Sequence, residues 1–462
     1  MNSAGLDATN PAPYKYIEKR GDSVQFSSEV GVLFTNPPPT PPPLCHAAIA
    51  MASLGTAQQV TQTAAQAIRV KDGERLAETL RLDMGNTSLM TQLKSDSVQL
   101  EHLCGTALEE PYDEMLLEHF LFLRAVGAGN HVDAYTHQER ALICFQMVFE
   151  KDSSWALPAL HALDLELRRA AQRADQQLGA RGEKRCKLEE AARVLQKSFQ
   201  YTVTDRSPIA ESKKWGTLHV INDLFKIYFE LNNLRLCQNL IRAVEGPGFP
   251  KALDGQTIEG RHFAVAQLVT FKYFVGRLSM LNSQFGKAEV ELTFAFTHCP
   301  ATATQNKRLI LRYLVPVQMV LGRFASPALL RKYRLPYFVP LCRAVHRGDL
   351  KGFEQELEKN QTLFIQHGSY LLVERAKIIT YRNFFKRVVE MQKVQSNKID
   401  LKMFRRCLAA IGIDMDTDEI ECIVANLIYS GYIKGYIAHQ HGKVVLSKEN
   451  AFPSLADVAG GR

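Results

Sequence analysis

From about residue 112 to about residue 360, apolar residues recur at helical spacing almost without a break, and strand-like alternation is nearly absent. Leu218, Ile221, Phe225, Tyr228 and Phe229 form one clear amphipathic face. A short turn punctuates the pattern: an apolar helix end, a small or polar pair, then a new helix. It recurs at Gly129-Asn130, Asn232-Asn233, Asn282-Ser283 and Gly348-Asp349. Loops this short make antiparallel hairpins, and a row of hairpins buries its apolar faces only by stacking. The segment Leu278 to Ala295, with Leu281, Phe285, Ala288 and Leu292, reads as one tetratricopeptide-type hairpin. The second and third turns lie about 50 residues apart and the third and fourth about 66, which disfavours a strict repeat family. Gly246 to Gly260, interrupted by Pro247 and Pro250, reads as a long exposed loop.

The pattern changes near Gly368. A long helix is predicted from Ser369 to about Lys393, then helices Leu401 to Ile411 and Thr417 to Tyr429, then strands Tyr432 to Ala438 and Val444 to Ser447 joined around His441-Gly442. Three helices and a terminal hairpin follow the winged-helix order. The predicted fold is therefore all-α, a right-handed helical-hairpin solenoid followed by a C-terminal winged helix. Its expected divisions are a Pro-rich disordered extension (1–50), N-terminal helical repeats (51–220), further helical repeats (221–368), the winged helix (369–450) and a tail (451–462). The extension ends in the polyproline tract Pro37 to Pro43, and Met51 is a candidate alternative start.

The composition, 46% hydrophobic and 23% charged over 462 residues, is that of a globular chain with one or two substantial cores. The nine cysteines are scattered singly without a CxxC pair, as expected where thiols stay reduced. No apolar run approaches the ~20 residues that cross a bilayer. Walker, GxSxG, HExxH and dinucleotide motifs are absent, so a non-catalytic chain without cofactor or small-molecule substrate is expected. His439-Gln440-His441 puts two imidazoles on one side of a strand, yet no further His or Cys stands at ligand spacing, and no metal is expected. Trp155 and Trp215 read as core anchors rather than stacking platforms.

A net charge of +8 merely permits a polyanionic partner; its distribution says more. Residues 370–412 carry ten Lys/Arg against three acids, while residues 413–431 carry five acids and no base. At 100° per residue, Arg375, Arg382, Lys386 and Lys393 fall within about 20° of one line along the long helix. Lys402, Arg405 and Arg406 share the face opposite Leu401, Phe404 and Leu408. With Lys434, His439, His441, Lys443 and Lys448 in the wing, these are the candidate contacts to RNA or DNA. The third helix opens Asp414-Met415-Asp416-Thr417-Asp418-Glu419, which repels phosphate, so base reading in the major groove is not expected. Asp416 and Glu419 also suit a capping box. Lys307, Arg308 and Arg312 sit at a helix start, where the dipole disfavours cations, and are candidate contacts for an acidic partner, simple solvation being the plainer account.

Several blocks carry a resemblance. They are Glu110 to Met115, Ser154 to Pro158, Arg173 to Leu178, Ser212 to Gly216, Leu224 to Phe229, Gln305 to Arg308, Lys377 to Asn383, Ile423 to Tyr429, and Lys434 to Ile437 with His439-Gln440-His441. In these the chain resembles the PCI-domain-containing protein two family, PCI subunits of the nuclear complex that couples transcription to mRNA export. The likeness runs from about residue 55 to Leu455; residues 1–45 fall outside it, and the Gly246 to Gly260 loop looks longer than the family's. It implies a PCI domain, a place in the nucleus and at the nuclear pore, and two partners. One is a large PCI-containing scaffold of the germinal-centre-associated nuclear protein type, the other a small acidic disordered subunit shared with the proteasome lid. The competing expectation is a purely structural PCI subunit of a signalosome-like or proteasome-lid-like assembly that binds no nucleic acid.

Overall fold

A computed structural model describes residues 57–82, 93, 97–392, 397–455 and 458. The polyproline tract, Met51 and Lys393 lie outside the described residues. The chain is an all-helical solenoid closed by a winged helix. The solenoid begins with α1 (Ala57–Val70), α2 (Gly73–Leu80), α3 (Ser97–Ala107), α4 (Tyr112–Gly127), α5 (His131–Lys151), α6 (Leu157–Ala180) and α7 (Lys187–Val203). It continues with α8 (Thr217–Glu230), α9 (Leu234–Glu245), α10 (Val265–Leu281), α11 (Phe285–His298) and α12 (Thr304–Val320). Four shorter helices follow: α13 (Pro327–Lys332), α14 (Phe338–Arg347), α15 (Leu350–Lys359) and α16 (Gln361–Gln366). From α4 to α8, and again from α10 to α12, each helix packs on its successor.

The recurring turn has one physical cause. A helix that stops leaves its last carbonyls unpaired, and a residue in the left-handed region lets the next two amides fold back onto them. Gly129 (φ +73°), Asn232 (+55°), Ser283 (+60°) and Gly348 (+67°) take that conformation. The residue after each donates its N–H to the carbonyl five positions back: Asn130 to Ala125, Asn233 to Tyr228, Gln284 to Ser279 and Asp349 to Ala344, at 2.8–3.0 Å. The same closure recurs at Lys71, Gly182, Gly322, Arg334, Gly368, Gly412 and Gly431. Between the hairpin halves α10 and α11, Gly276 allows a close approach; a Cβ there would sit 2.6 Å from Leu292 Cγ.

Polar groups set the register of the N-terminal part. Buried Arg168 on α6 donates through Nε to Asp223 Oδ1 on α8 at 2.9 Å, and Lys226 Nζ reaches the same oxygen at 3.0 Å. Burial alone would raise the Asp223 carboxyl, but Lys226 and Arg168 outweigh it and hold it well below the usual range. Trp155 and Trp215 are half-buried, each with its indole N–H spent, on Asp152 Oδ1 and Ile209 O respectively.

After the solenoid, α17 (Tyr370–Met391) leads into β1 (Lys398–Asp400), α18 (Leu401–Ala410), α19 (Thr417–Tyr429), β2 (Gly435–Ala438) and β3 (Lys443–Leu446). The sheet is antiparallel in the order β1-β3-β2. Its first strand is an addition to the predicted hairpin. Two apolar cores result, and α17 belongs to both. Val373, Ala376 and Ile379 are buried in the solenoid core, whereas Tyr381, Phe385 and Val388 are buried against Ile399, Phe404, Leu408, Ile420 and Val424 of the winged helix.

A clasp joins the two parts. Arg382 on α17 donates through Nη2 to Pro453 O (2.7 Å) and Phe452 O (3.1 Å), and through Nη1 to Asn383 Oδ1 (2.8 Å). Asn383 Nδ2 in turn donates to Val345 O at the end of α14 (2.8 Å). The returning segment also seats Leu455 on the turn at Gly322, where a Cβ would lie 2.3 Å from it. Charge-assisted hydrogen bonds contribute about 1.5–3 kcal/mol each, and truncation leaves the two carbonyls unpaired. Arg382→Ala should therefore lower stability in urea unfolding by about 2–4 kcal/mol and speed amide exchange around residues 450–455. An unchanged midpoint and unchanged exchange would count against the clasp.

Candidate nucleic-acid interface

The winged helix builds its basic face from the inside out. Asp400 caps α18 by accepting from Lys402 N–H (2.9 Å), and Leu401 N–H reaches Gly442 O in the wing (2.9 Å). With Leu401, Phe404 and Leu408 fully buried, the helix must turn Lys402, Arg405 and Arg406 to solvent, where all three are exposed. None of the three has an ion pair among the described residues. Lys434, Lys443 and Lys448 are exposed on the wing, and Lys398 joins them from β1.

The neighbouring α19 has the opposite sign for a structural reason. Asp416 accepts from Glu419 N–H (2.7 Å) while Glu419 Oε2 accepts from Asp416 N–H (3.1 Å), a closed capping box. These acids suit the positive end of the helix dipole, so the helix that reads bases in other winged helices here presents carboxylates. Ile420, Val424 and Leu427 are its buried face.

The line of cations on α17 does not survive as a surface. Arg382 is buried, 5% exposed, because the returning C-terminal segment covers it, and it is corrected here from a nucleic-acid contact to a structural residue. Arg375 lies over the Phe285 ring (5.1 Å) and donates to Ser283 Oγ (3.1 Å), which draws it toward the α10–α11 turn. Lys386 is half-buried and pairs with Glu390 (3.6 Å), while Lys393 lies outside the described residues. Arg387, off that line, is exposed, as is Arg375.

Lys307 is likewise corrected. It is 8% exposed, donates to Phe296 O (2.8 Å) and lies over the Phe296 ring (4.5 Å), so its charge is used within the fold and is not offered to an acidic partner. Arg308 and Arg312 are half-buried near Tyr337. There they oppose the burial that pushes its phenol up to about 12.

His439 and His441 sit on a one-turn 3-10 helix, His439–His441, closed by Gly442 (φ +58°), rather than on a strand. His439 Nδ1 meets Glu421 Oε1 of α19 at 2.8 Å, so the wing histidine is held by the acidic helix. That hydrogen bond, with the Glu421 charge, raises the imidazole above its ordinary 6.5. A raised folded-state value means that the tie is complete below 6.5 and fades as pH climbs through the folded value. NMR titration should place the His439 midpoint above 6.5, and Glu421→Gln should bring it back toward 6.5; equal midpoints in the two proteins would refute the contact.

Comparison with known proteins agrees with this architecture. The PCI domain profile matches residues 357–448, from the end of α15 through the wing. PCI domain-containing protein 2 of Xenopus laevis is 40% identical over 408 residues, covering 87% of this chain and 99% of that protein. The Danio rerio protein of the same name is 41% identical over 413 residues, with the same coverage of both chains. The Drosophila melanogaster homolog is 36% identical over 418 residues, again covering 87% and 99%. Likeness of this extent, together with the helical solenoid and the terminal winged helix, establishes that the chain belongs to the PCI domain-containing protein 2 family of PCI scaffold proteins.

Proposed function

We propose that the protein is a non-enzymatic scaffold subunit of a nuclear, transcription-coupled mRNA-export complex, and that it holds RNA or DNA without reading sequence. The solenoid is the docking body, and its proposed partners are a large PCI-containing scaffold subunit and a small acidic subunit. Both partners, and the place at the nucleus and nuclear pore, rest on family resemblance. With Lys307 and Arg312 both engaged within the fold, Arg308 is what remains of the basic trio for an acidic partner.

One observation carries the nucleic-acid part. The trio Lys402, Arg405 and Arg406 is exposed and has no ion pair among the described residues, its helix is tied to the wing by Leu401 N–H on Gly442 O, and α19 turns carboxylates outward. Cations at i, i+3 and i+4 on a capped helix match a phosphate backbone, and carboxylates on the reading helix oppose entry into a major groove. Contact of this type follows the phosphates and weakens steeply with salt.

Joint substitution of Lys402, Arg405 and Arg406 by Glu should lower affinity for RNA and DNA more than ten-fold at ~0.1 M salt and reduce the salt slope by about 2–3. Co-purification of the protein's partners from nuclei should be unaffected. Unchanged nucleic-acid binding with intact assembly would instead favour the second reading, a structural PCI subunit of a signalosome-like or proteasome-lid-like particle.

A further inference from the structure

Tyr436 stands on the outer face of the wing sheet, on the edge strand β2, 62% exposed. The register places it opposite Val445 of β3, which in turn faces Lys398 of β1; the next row is Ala438, Lys443 and Asp400. Lys434 lies two residues before Tyr436 on the same side, its carbonyl accepting from Ser447 N–H (2.8 Å) as the ladder continues. The alternate residues Ile399, Val444 and Leu446 point inward and are buried, so Tyr436 has no part in the core. Its sheet neighbours Val445 and Ala438 are too short to shield the ring, and three exposed lysines, Lys398, Lys434 and Lys443, share its face.

An exposed aromatic ring on a sheet face that carries three lysines against the one acid Asp400 accepts a planar partner with negative charge beside it. A base with its phosphate has that chemistry. In a duplex the faces of the bases are already stacked on one another, and only the phosphates meet such a surface. We infer that the ligand of this face is single-stranded nucleic acid, one base stacking on Tyr436 while Lys434 and Lys443 contact the adjoining phosphates. This inference rests on the nucleic-acid reading given above and names the form of the ligand.

The test is fluorescence anisotropy on the full-length chain with labelled oligo-U and oligo-dT of about fifteen nucleotides and a duplex of equal length. Base stacking on an aromatic side chain commonly changes affinity about ten-fold. Tyr436→Ala should therefore weaken both single strands about ten-fold and the duplex less than two-fold, and Tyr436→Phe should behave as the wild type. A matching thermal transition in all three proteins checks that the fold is kept. If only one of the two strands weakens, the stacked ligand is RNA or DNA accordingly.

Equal weakening of duplex and single strands would overturn the stacking role. So would undiminished binding by Tyr436→Ala when the α18 charge reversal abolishes it, a result that leaves the phosphate platform standing. If the wild type binds no nucleic acid, this inference and the reading beneath it both fall. Loss of a co-purifying protein subunit in Tyr436→Ala, with nucleic-acid binding retained, would assign the sheet face to a protein partner instead.

Discussion

A helix end must do something with its last carbonyls, and this chain meets that need in the same way at turn after turn. A residue in the left-handed region bends the backbone so that the next amides return onto the helix just finished. The turn consumes only two or three residues, so the following helix has to run back alongside. Each hairpin then exposes an apolar flank that only another hairpin can cover, and stacking follows from hydrogen-bond bookkeeping at the ends as much as from apolar burial along the middle. The winged helix obeys the rule too, with Gly412 closing α18 and Gly431 closing α19. Glycine is not obligatory at every site: Asn232, Ser283 and Arg334 accept the conformation, which explains why the turns share a shape more clearly than a sequence.

Local signals survived translation into structure best. The helix from Thr417 to Tyr429 has the bounds read from the chain because its capping box and apolar periodicity both lie within it. The short strand Lys398–Asp400 was not legible, since three residues with one buried side chain offer too little alternation. The misplacement of Arg382 has a different origin. Angular spacing tells which side chains share a line on a helix, but not what rests on that line. The cover comes from Phe452 and Pro453, about seventy residues later, in a stretch with little pattern of its own. Lys307 failed for a related reason: its partner, the Phe296 carbonyl at the end of α11, belongs to the preceding helix. Tyr436 could be seen as an aromatic in a strand, yet its outward direction depends on a register that only the third strand and the neighbouring buried side chains define.

Charge in the winged helix is divided by the demands of folding before any ligand is considered. The acids of α19 are where a helix N-terminus favours them, and the cations of α18 occupy the face left over once Leu401, Phe404 and Leu408 have been buried. Two adjacent helices of opposite sign make a surface with a direction. A polyanion laid across the cations is turned away from the helix that would otherwise read its bases, and toward the wing. His439, held by Glu421, stands at the border between the two signs. For the nucleic-acid ligand proposed above, this division of charge favours a path over α18 and the wing, where sequence information in a groove has no reader.

That path has a fixed orientation because α17 is shared. Its first half is embedded in the solenoid core and its second half in the winged-helix core, so rotating one part against the other would break buried contacts in both. Arg382 adds a second attachment by pinning the returning chain, and Asn383 a third through the Val345 carbonyl of α14. Gly348 completes the junction: a Cβ there would fall 2.4 Å from the Phe384 backbone nitrogen, so α14 abuts α17 with no space for a side chain. A winged helix on a linker would offer its cations in every direction and would lose orientational freedom on each encounter. Here the direction is set during folding, and a partner docked on the solenoid meets the basic face at a constant angle. For a scaffold, whose contribution is geometry rather than chemistry, that constancy is what the junction supplies: the buried Arg382 guanidinium fixes the direction in which the exposed cations of α18 and the wing face.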